Sequence, residues 1–203
     1  MTKVCILNYG SGNIQSLKVS IGLLDIPCKL TDSKKDIENA SHIILPGVGS
    51  YKRVLIKLKK KFDIDFLEKQ IILKGKYLLG ICVGMQILST AGFEHGLCSG
   101  LDWIPGNVNK IDNKKLVLPH VGWNDVVVKQ KNKILENKNL NIFYFTHSYA
   151  FKCSNKKNVL GTTFYGKVFD SIINKDNIYG VQFHPEKSQI NGLFFLKNFL
   201  SLK

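Results

Sequence analysis

Tyr77-Leu78-Leu79-Gly80-Ile81-Cys82-Val83-Gly84-Met85-Gln86 is an apolar, strand-like run that passes directly into a helix-like one, with Gly-x-Cys-x-Gly at the join. A residue at such a junction sits on a tight, strained turn, and small residues two before and two after it let the helix pack close to the strand. Gly80 and Gly84 meet that demand, so Cys82 is read as a nucleophile on an elbow. The start of a helix also offers free backbone N–H groups and the positive end of the helix dipole, both of which favour a thiolate. The ordinary alternative for a free cysteine in an α/β core is inert packing. That is the reading for Cys5, Cys28, Cys98 and Cys153, which lack the flanking glycines.

Upstream of the elbow, apolar runs at 3–7 and 42–45 alternate with Ile14, Leu17, Ile21 and Leu24 at helical spacing and with a helix predicted around 55–73. A helix from Gly84 to about Ala91 follows the elbow. Such alternation implies parallel βαβ units. From Gly106 onward the pattern changes to short β-rich pieces at 108–111, 126–129, 142–146, 159–164 and 178–183, punctuated by Asn, Asp, Gly and Lys. These predict an antiparallel extension of the main sheet in the second half. A last helix from Gln189 to about Leu202, carrying Ile190, Leu193, Phe194 and Leu200, is expected to cover one face. The fold class is therefore α/β, a mixed central sheet flanked by helices. With 203 residues and no repeat or linker, residues 1–203 are expected to form a single domain.

A thiol nucleophile needs a base, and the base needs an orienting group. Val181-Gln182-Phe183-His184-Pro185-Glu186 offers both. Pro185 biases His184 toward an extended conformation, in which residues two apart project to the same side, so His184 and Glu186 are predicted to act together. Standing alone, a His-Pro turn beside a surface glutamate would be the plainer reading. His42 and His95 are read as structural or surface groups, and His120 and His147 as packing or substrate-edge groups in shaped loops. Leu45-Pro46-Gly47-Val48-Gly49-Ser50 follows a strand, and its backbone N–H groups are candidates to face an oxyanion. Asn8-Tyr9-Gly10-Ser11-Gly12-Asn13 begins like a dinucleotide fingerprint, but Gln15 replaces the third glycine, so nucleotide cradling is rejected.

The net charge of +14 invites a nucleic-acid reading. Arg53 is the single arginine, however, so bidentate contacts to guanine are nearly unavailable, and the lysines recur along the whole chain. The dense stretch at 57–61 reads as the solvated face of a helix. No nucleic-acid module is recognisable. No apolar run reaches the roughly 18 residues of a spanning helix, and Met1-Thr2-Lys3-Val4-Cys5 enters a strand-like run with no export signal. No nucleic-acid or membrane partner is expected. Five scattered cysteines fit a reducing, cytoplasmic compartment. His95 with Cys98 is the one close pair of metal-ligand types, and without a second pair no metal site is assigned.

Residues 80–86 together with Phe183-His184-Pro185-Glu186 resemble the class I glutamine amidotransferases. Within them the chain is similar to the glutaminase subunits of imidazole glycerol phosphate synthase, through residues 8–13, 45–50, 119–124, 144–149 and 182–189. The resemblance implies a flavodoxin-like fold and a Cys-His-Glu triad of Cys82, His184 and Glu186. It implies L-glutamine as substrate, with Gly47, Val48 and Gly49 at the oxyanion site after a backbone flip, and with Gln86, His147, Ser148 and Tyr149 holding the substrate. It also places Asn13, Trp123, Tyr144 and Lys187 where the subunit meets a (β/α)8-barrel cyclase, to which ammonia would travel for synthesis of imidazole glycerol phosphate and AICAR in histidine biosynthesis. No cofactor is implied. Three positions depart from the pattern: Lys110-Ile111 stands where an Arg-Phe pair is usual, and Val83 replaces a leucine. A glutaminase serving a sugar amidotransferase of surface polysaccharide synthesis is the second reading.

Overall fold

The computed structural model describes residues 3–112, 116–135 and 141–203. Met1 and Thr2, which precede the predicted first run, lie outside the described residues. The first half contains β1 (Val4–Leu7), α1 (Ile14–Gly22), β2 (Cys28–Thr31), α2 (Lys34–Asn39), β3 (His42–Gly47), α3 (Tyr51–Lys61), α4 (Ile64–Glu68), β4 (Tyr77–Cys82) and α5 (Val83–Gln86). The second contains β5 (Ala91–Gly92), β6 (Cys98–Ser99), β7 (Gly106–Lys110), β8 (His120–Asp125), β9 (Val127–Val128), β10 (Ile142–His147), β11 (Tyr149–Cys153), β12 (Val159–Tyr165), β13 (Lys167–Lys175), β14 (Ile178–Val181) and α6 (Gln189–Leu200).

The main sheet runs β2-β1-β3-β4-β14-β13-β12-β9. Its first five strands are parallel, and β13, β12 and β9 continue it antiparallel. The parallel part has the strand order of flavodoxin-like sheets, which place their ligands beyond the carboxyl ends of the strands. Register matters here. Gly47 pairs with Cys82 and Ile81 with Val181, so the glycine loop, the elbow and the segment leading to His184 leave the sheet side by side.

The antiparallel extension is there, but not all the later strands join it. β8 and β10 form a separate two-stranded sheet, and β11, β7, β5 and β6 a third. Residues 120–125, read from sequence as a shaped loop, are strand β8. Their alternating exposure, with Val121 and Trp123 outward, would have needed a known partner strand to be recognised.

The helix expected over 55–73 is broken. Phe62 leaves α3 in an extended conformation to become buried, Asp63 caps α4 by accepting the Phe66 N–H, and a π-helical turn follows at Lys69–Leu73. The buried face of α3 is Tyr51, Val54, Leu55 and Leu58, while Lys59, Lys60 and Lys61 close its last turn, where cations suit the dipole. The helix expected from Gly84 to Ala91 is one turn long, because Ala91 and Gly92 pair with β6 and β7 instead.

α6 lies where predicted, but rotated. Phe195, Leu196, Phe199 and Leu200 face inward, whereas Ile190 and Phe194 are exposed. Gly192 fixes that rotation: a Cβ there would stand 1.8 Å from the Pro185 carbonyl oxygen, so this side of the helix lies flush against the turn after His184. Phe143 stacks on Phe183 with centroids 3.9 Å apart, and Phe195 meets Phe183 edge-on, so the segment that carries His184 is anchored in the core.

Candidate active site

Cys82 ends β4 with φ 54° and ψ −112°, a left-handed conformation that costs a non-glycine residue roughly 1–3 kcal/mol and that only the surrounding packing can impose. That packing is glycine on backbone. A Cβ on Gly84 would lie 2.0 Å from the Leu45 carbonyl oxygen, one on Gly47 2.3 Å from the Gly84 nitrogen, and one on Gly80 2.8 Å from the Gly84 carbonyl oxygen. Three glycines thus let α5 settle directly on β3 and β4, and the elbow projects Cys82 into a cavity of about 470 Å³. Gly47 packs under the elbow and is absent from the cavity wall, which Val48 and Gly49 do line.

His184 and Glu186 meet, though not by extended spacing. His184 is extended, but Pro185–Lys187 forms a 3-10 turn that swings Glu186 back so that its Oε1 lies 2.8 Å from His184 Nδ1. Proline favours that helical first position, so the residue expected to prolong the extended run ends it. Both side chains are almost fully enclosed, 5% and 3% exposed. The His184 N–H donates to the Tyr144 carbonyl, and the Ser188 hydroxyl donates to the His184 carbonyl and accepts the Tyr144 N–H, so β10 holds His184 in place.

Burial is the largest influence on the His184 imidazole and works against its charged form. It is outweighed by the charge of Cys82, a hydrogen bond with Cys82 and the Glu186 carboxylate, which together raise the pKa well above the ordinary histidine value. With Nδ1–H committed to Glu186, the other ring nitrogen is the one left for Cys82. The second carboxylate oxygen of Glu186 is buried with no partner among the described residues, which leaves the imidazolium as the charge that compensates it.

Hydrogen bonds with fixed directions run back from the cavity wall, where Gln86, His147 and Tyr149 stand, to side chains behind it. The His147 N–H at Nδ1 donates to the Tyr149 carbonyl at 2.9 Å, so its Nε2 must accept from His120 Nδ1 at 3.1 Å. His120 Nε2 then accepts from Asn124 Nδ2 at 3.2 Å. Burial lowers the pKa of His120 to about 4 and of His147 to about 3, consistent with two neutral rings. Gln86 Nε2 donates to the Tyr149 carbonyl at 2.9 Å and to Gln182 Oε1 at 3.0 Å, leaving its own oxygen as the acceptor it can offer. Gln182 Nε2 in turn approaches Cys82 Sγ at 3.7 Å.

All of Gln86, His147, Ser148 and Tyr149 line the cavity, as do His95, Lys110, Pro119 and Lys187. His95, read from sequence as structural or surface, is therefore at the rim. His120, read from sequence as a packing or substrate-edge group, stands one step behind the cavity; Gln182, fully buried, and Asn124 have no site reading from sequence, although the alternation of 182 with 184 along one segment is the available signal for Gln182.

Trp123, Tyr144 and Lys187 form one group in which Trp123 and Lys187 are exposed and Tyr144 is half-buried, with Trp123 edge-on to Tyr144 at 6.0 Å and Lys187 Nζ 5.6 Å above the Tyr144 ring. Asn13 opens α1 without a capping side-chain bond, and α1 packs against the Pro185–Lys187 turn.

A family model described as "Glutamine amidotransferase class-I" matches residues 5–202. The chain is 42% identical over 199 residues to "Imidazole glycerol phosphate synthase subunit HisH 2" of Methanococcus maripaludis, covering 97% of this chain and 98% of that protein. It is 41% identical over 202 residues to the HisH subunit of Leptospira borgpetersenii, with the same coverage. Among solved structures, one titled glutamine amidotransferase superposes with TM-score 0.72 at 19% identity, covering 97% of this chain and 98% of that one. PurLQS from Thermotoga maritima superposes with TM-score 0.70 at 19% identity, covering 98% and 97%. At that identity the likeness is one of fold.

Proposed function

The chain belongs to the class I glutamine amidotransferase family and, within it, to the HisH subunits of imidazole glycerol phosphate synthase, and from that premise we propose that Cys82, His184 and Glu186 hydrolyse L-glutamine and that the ammonia passes to a (β/α)8 cyclase subunit. The observation that carries this reading is the strained Cys82 elbow beside the buried His184–Glu186 pair at the ends of adjacent parallel strands.

Cys82 Sγ attacks the side-chain amide carbon of glutamine, and negative charge moves onto the amide oxygen. Backbone N–H groups of the 47–49 loop stabilise that charge once turned toward it. His184, held protonated by Glu186 and the thiolate, gives its proton to the leaving nitrogen, and ammonia departs from a glutamyl thioester. The neutral imidazole then takes a proton from the water that attacks the thioester, and collapse restores the thiolate beside the protonated ring as glutamic acid leaves and ionises to glutamate. Glutamine and water go to glutamate and ammonia, so the atoms balance without a cofactor. Gln86 Oε1 accepts from the α-ammonium of the substrate, with the backbone of 147–149 completing the subsite.

Trp123, Tyr144, Lys187 and Asn13 form the docking face for the cyclase, which uses the ammonia to make imidazole glycerol phosphate and AICAR in histidine biosynthesis. The whole of 1–203 acts as one amidotransferase domain in the cytoplasm. No described helix is long and apolar enough to cross a membrane. Cys82→Ala is expected to abolish cyclase-stimulated glutamine hydrolysis, and a glutamine-analogue electrophile to label the parent at Cys82 alone. Persistent hydrolysis in the variant would overturn the triad. Co-purification with an ATP-using sugar amidotransferase instead of a cyclase would redirect the ammonia.

A further inference from the structure

Gln182 carries the chain from β14 toward His184, and its backbone N–H donates to the Ser171 carbonyl at 2.9 Å, so it is still tied to β13. Its side chain is wholly buried. A carboxamide in such a place is costly unless both of its ends are bonded, whereas an apolar side chain would fill the space without that cost.

A backbone carbonyl fixes which way this carboxamide faces. The Tyr149 carbonyl can only accept, so Gln86 turns Nε2 toward it, and the second N–H of that nitrogen donates to Gln182 Oε1. With its oxygen so engaged, Gln182 turns Nε2 the other way, to 3.7 Å from Cys82 Sγ. The two carboxamides stand head to tail, with the N–H end of the pair at the sulfur.

Two neighbours of that sulfur suit opposite protonation states. A thiol can donate to the Thr146 carbonyl, 3.9 Å away, but a thiolate can only accept, and Gln182 offers it an N–H. Donation to the charged form of a group favours that form. We propose that Gln182 is a further catalytic residue, a fixed N–H donor that holds Cys82 as the thiolate and aims its sulfur for attack. The inference rests on the reading above in which Cys82 is the nucleophile. The proton of His184 is transferred during turnover, whereas the Gln182 N–H is not, so Gln182 is still a donor when the thiolate leaves the second tetrahedral intermediate.

Full-length Gln182→Met, which keeps the length of the side chain and removes the donor, tests this. Iodoacetamide labelling of Cys82 in the free protein, followed by mass spectrometry across pH, is expected to shift up by about one pH unit, about tenfold slower on the rising limb. The acid limb of kcat/KM for L-glutamine, measured with the cyclase subunit, is expected to move with it. A glutamine kept for packing alone would change the urea midpoint and leave both profiles in place. Profiles that stay or move down overturn the proposal. The parent gives a check that needs no folded variant at 182: the side-chain amide resonances of Gln182 are expected to titrate with the labelling of Cys82 and to stop titrating in Cys82→Ala. Resonances that ignore the labelling midpoint, or that still titrate in Cys82→Ala, overturn it equally. A parent never labelled at Cys82, with hydrolysis intact in Cys82→Ala, would instead overturn the glutaminase reading itself.

Discussion

At the scale of single residues, the site is set by which proton sits where. Glu186 fixes Nδ1–H of His184, and its charge with that of Cys82 holds the ring protonated against the cost of burial. Glu186→Gln keeps an acceptor of the same shape but removes the charge. We expect kcat to fall by about 10²–10⁴, with KM for glutamine little changed, and the His184 pKa measured by NMR to drop toward its ordinary value. A variant turning over at the parent rate would remove Glu186 from the mechanism. Because the folded-state pKa of His184 is raised, its contribution to stability is complete below the ordinary histidine value and is lost as pH rises through the folded one. The proposed triad is legible in the sequence because each member carries a local mark: glycines around Cys82, and Pro185 between His184 and Glu186. Gln182 carries only its alternation with 184, since the sulfur it approaches lies 100 residues away in the chain.

At the scale of elements, the active site depends on how closely α5 approaches β3 and β4. Gly84→Ala would bring a methyl group to 2.0 Å from the Leu45 carbonyl oxygen, where backbone must yield. We expect a loss of about 1–3 kcal/mol in a urea titration, together with a fall in kcat larger than the fall in stability predicts, because Cys82 moves with the turn. A Gly84→Ala protein with parent stability and rate would contradict the close packing described for the elbow. The element boundaries read from sequence failed where neighbours decided them. Phe62 leaves α3 to be buried, α6 is rotated by the contact of Gly192 with Pro185, and β8 is a strand because β10 lies beside it.

Across the whole molecule, three histidines are enclosed in apolar or ring-lined surroundings. Burial lowers His42 and His120 to about 4 and His147 to about 3. Below the ordinary histidine value the unfolded chain takes up protons that the folded one refuses, so stability is complete at higher pH and falls as pH drops from 6.5 toward 4. The urea midpoint is expected to be clearly lower at about pH 5 than at about pH 7, and His42→Phe, which keeps a ring against Tyr77, should flatten that slope. A midpoint independent of pH across this range would contradict the buried neutral rings. The sequence by itself determined the alternation that makes a parallel sheet, the cysteine elbow and the His184–Glu186 pair, because each depends on residue types within a few positions of one another. Only the tertiary structure decided which later strands joined that sheet, how Glu186 reaches His184 and what surrounds the elbow. Those outcomes rest on side chains and peptides far apart in the chain, brought within hydrogen-bond or contact distance by the packing of the sheet.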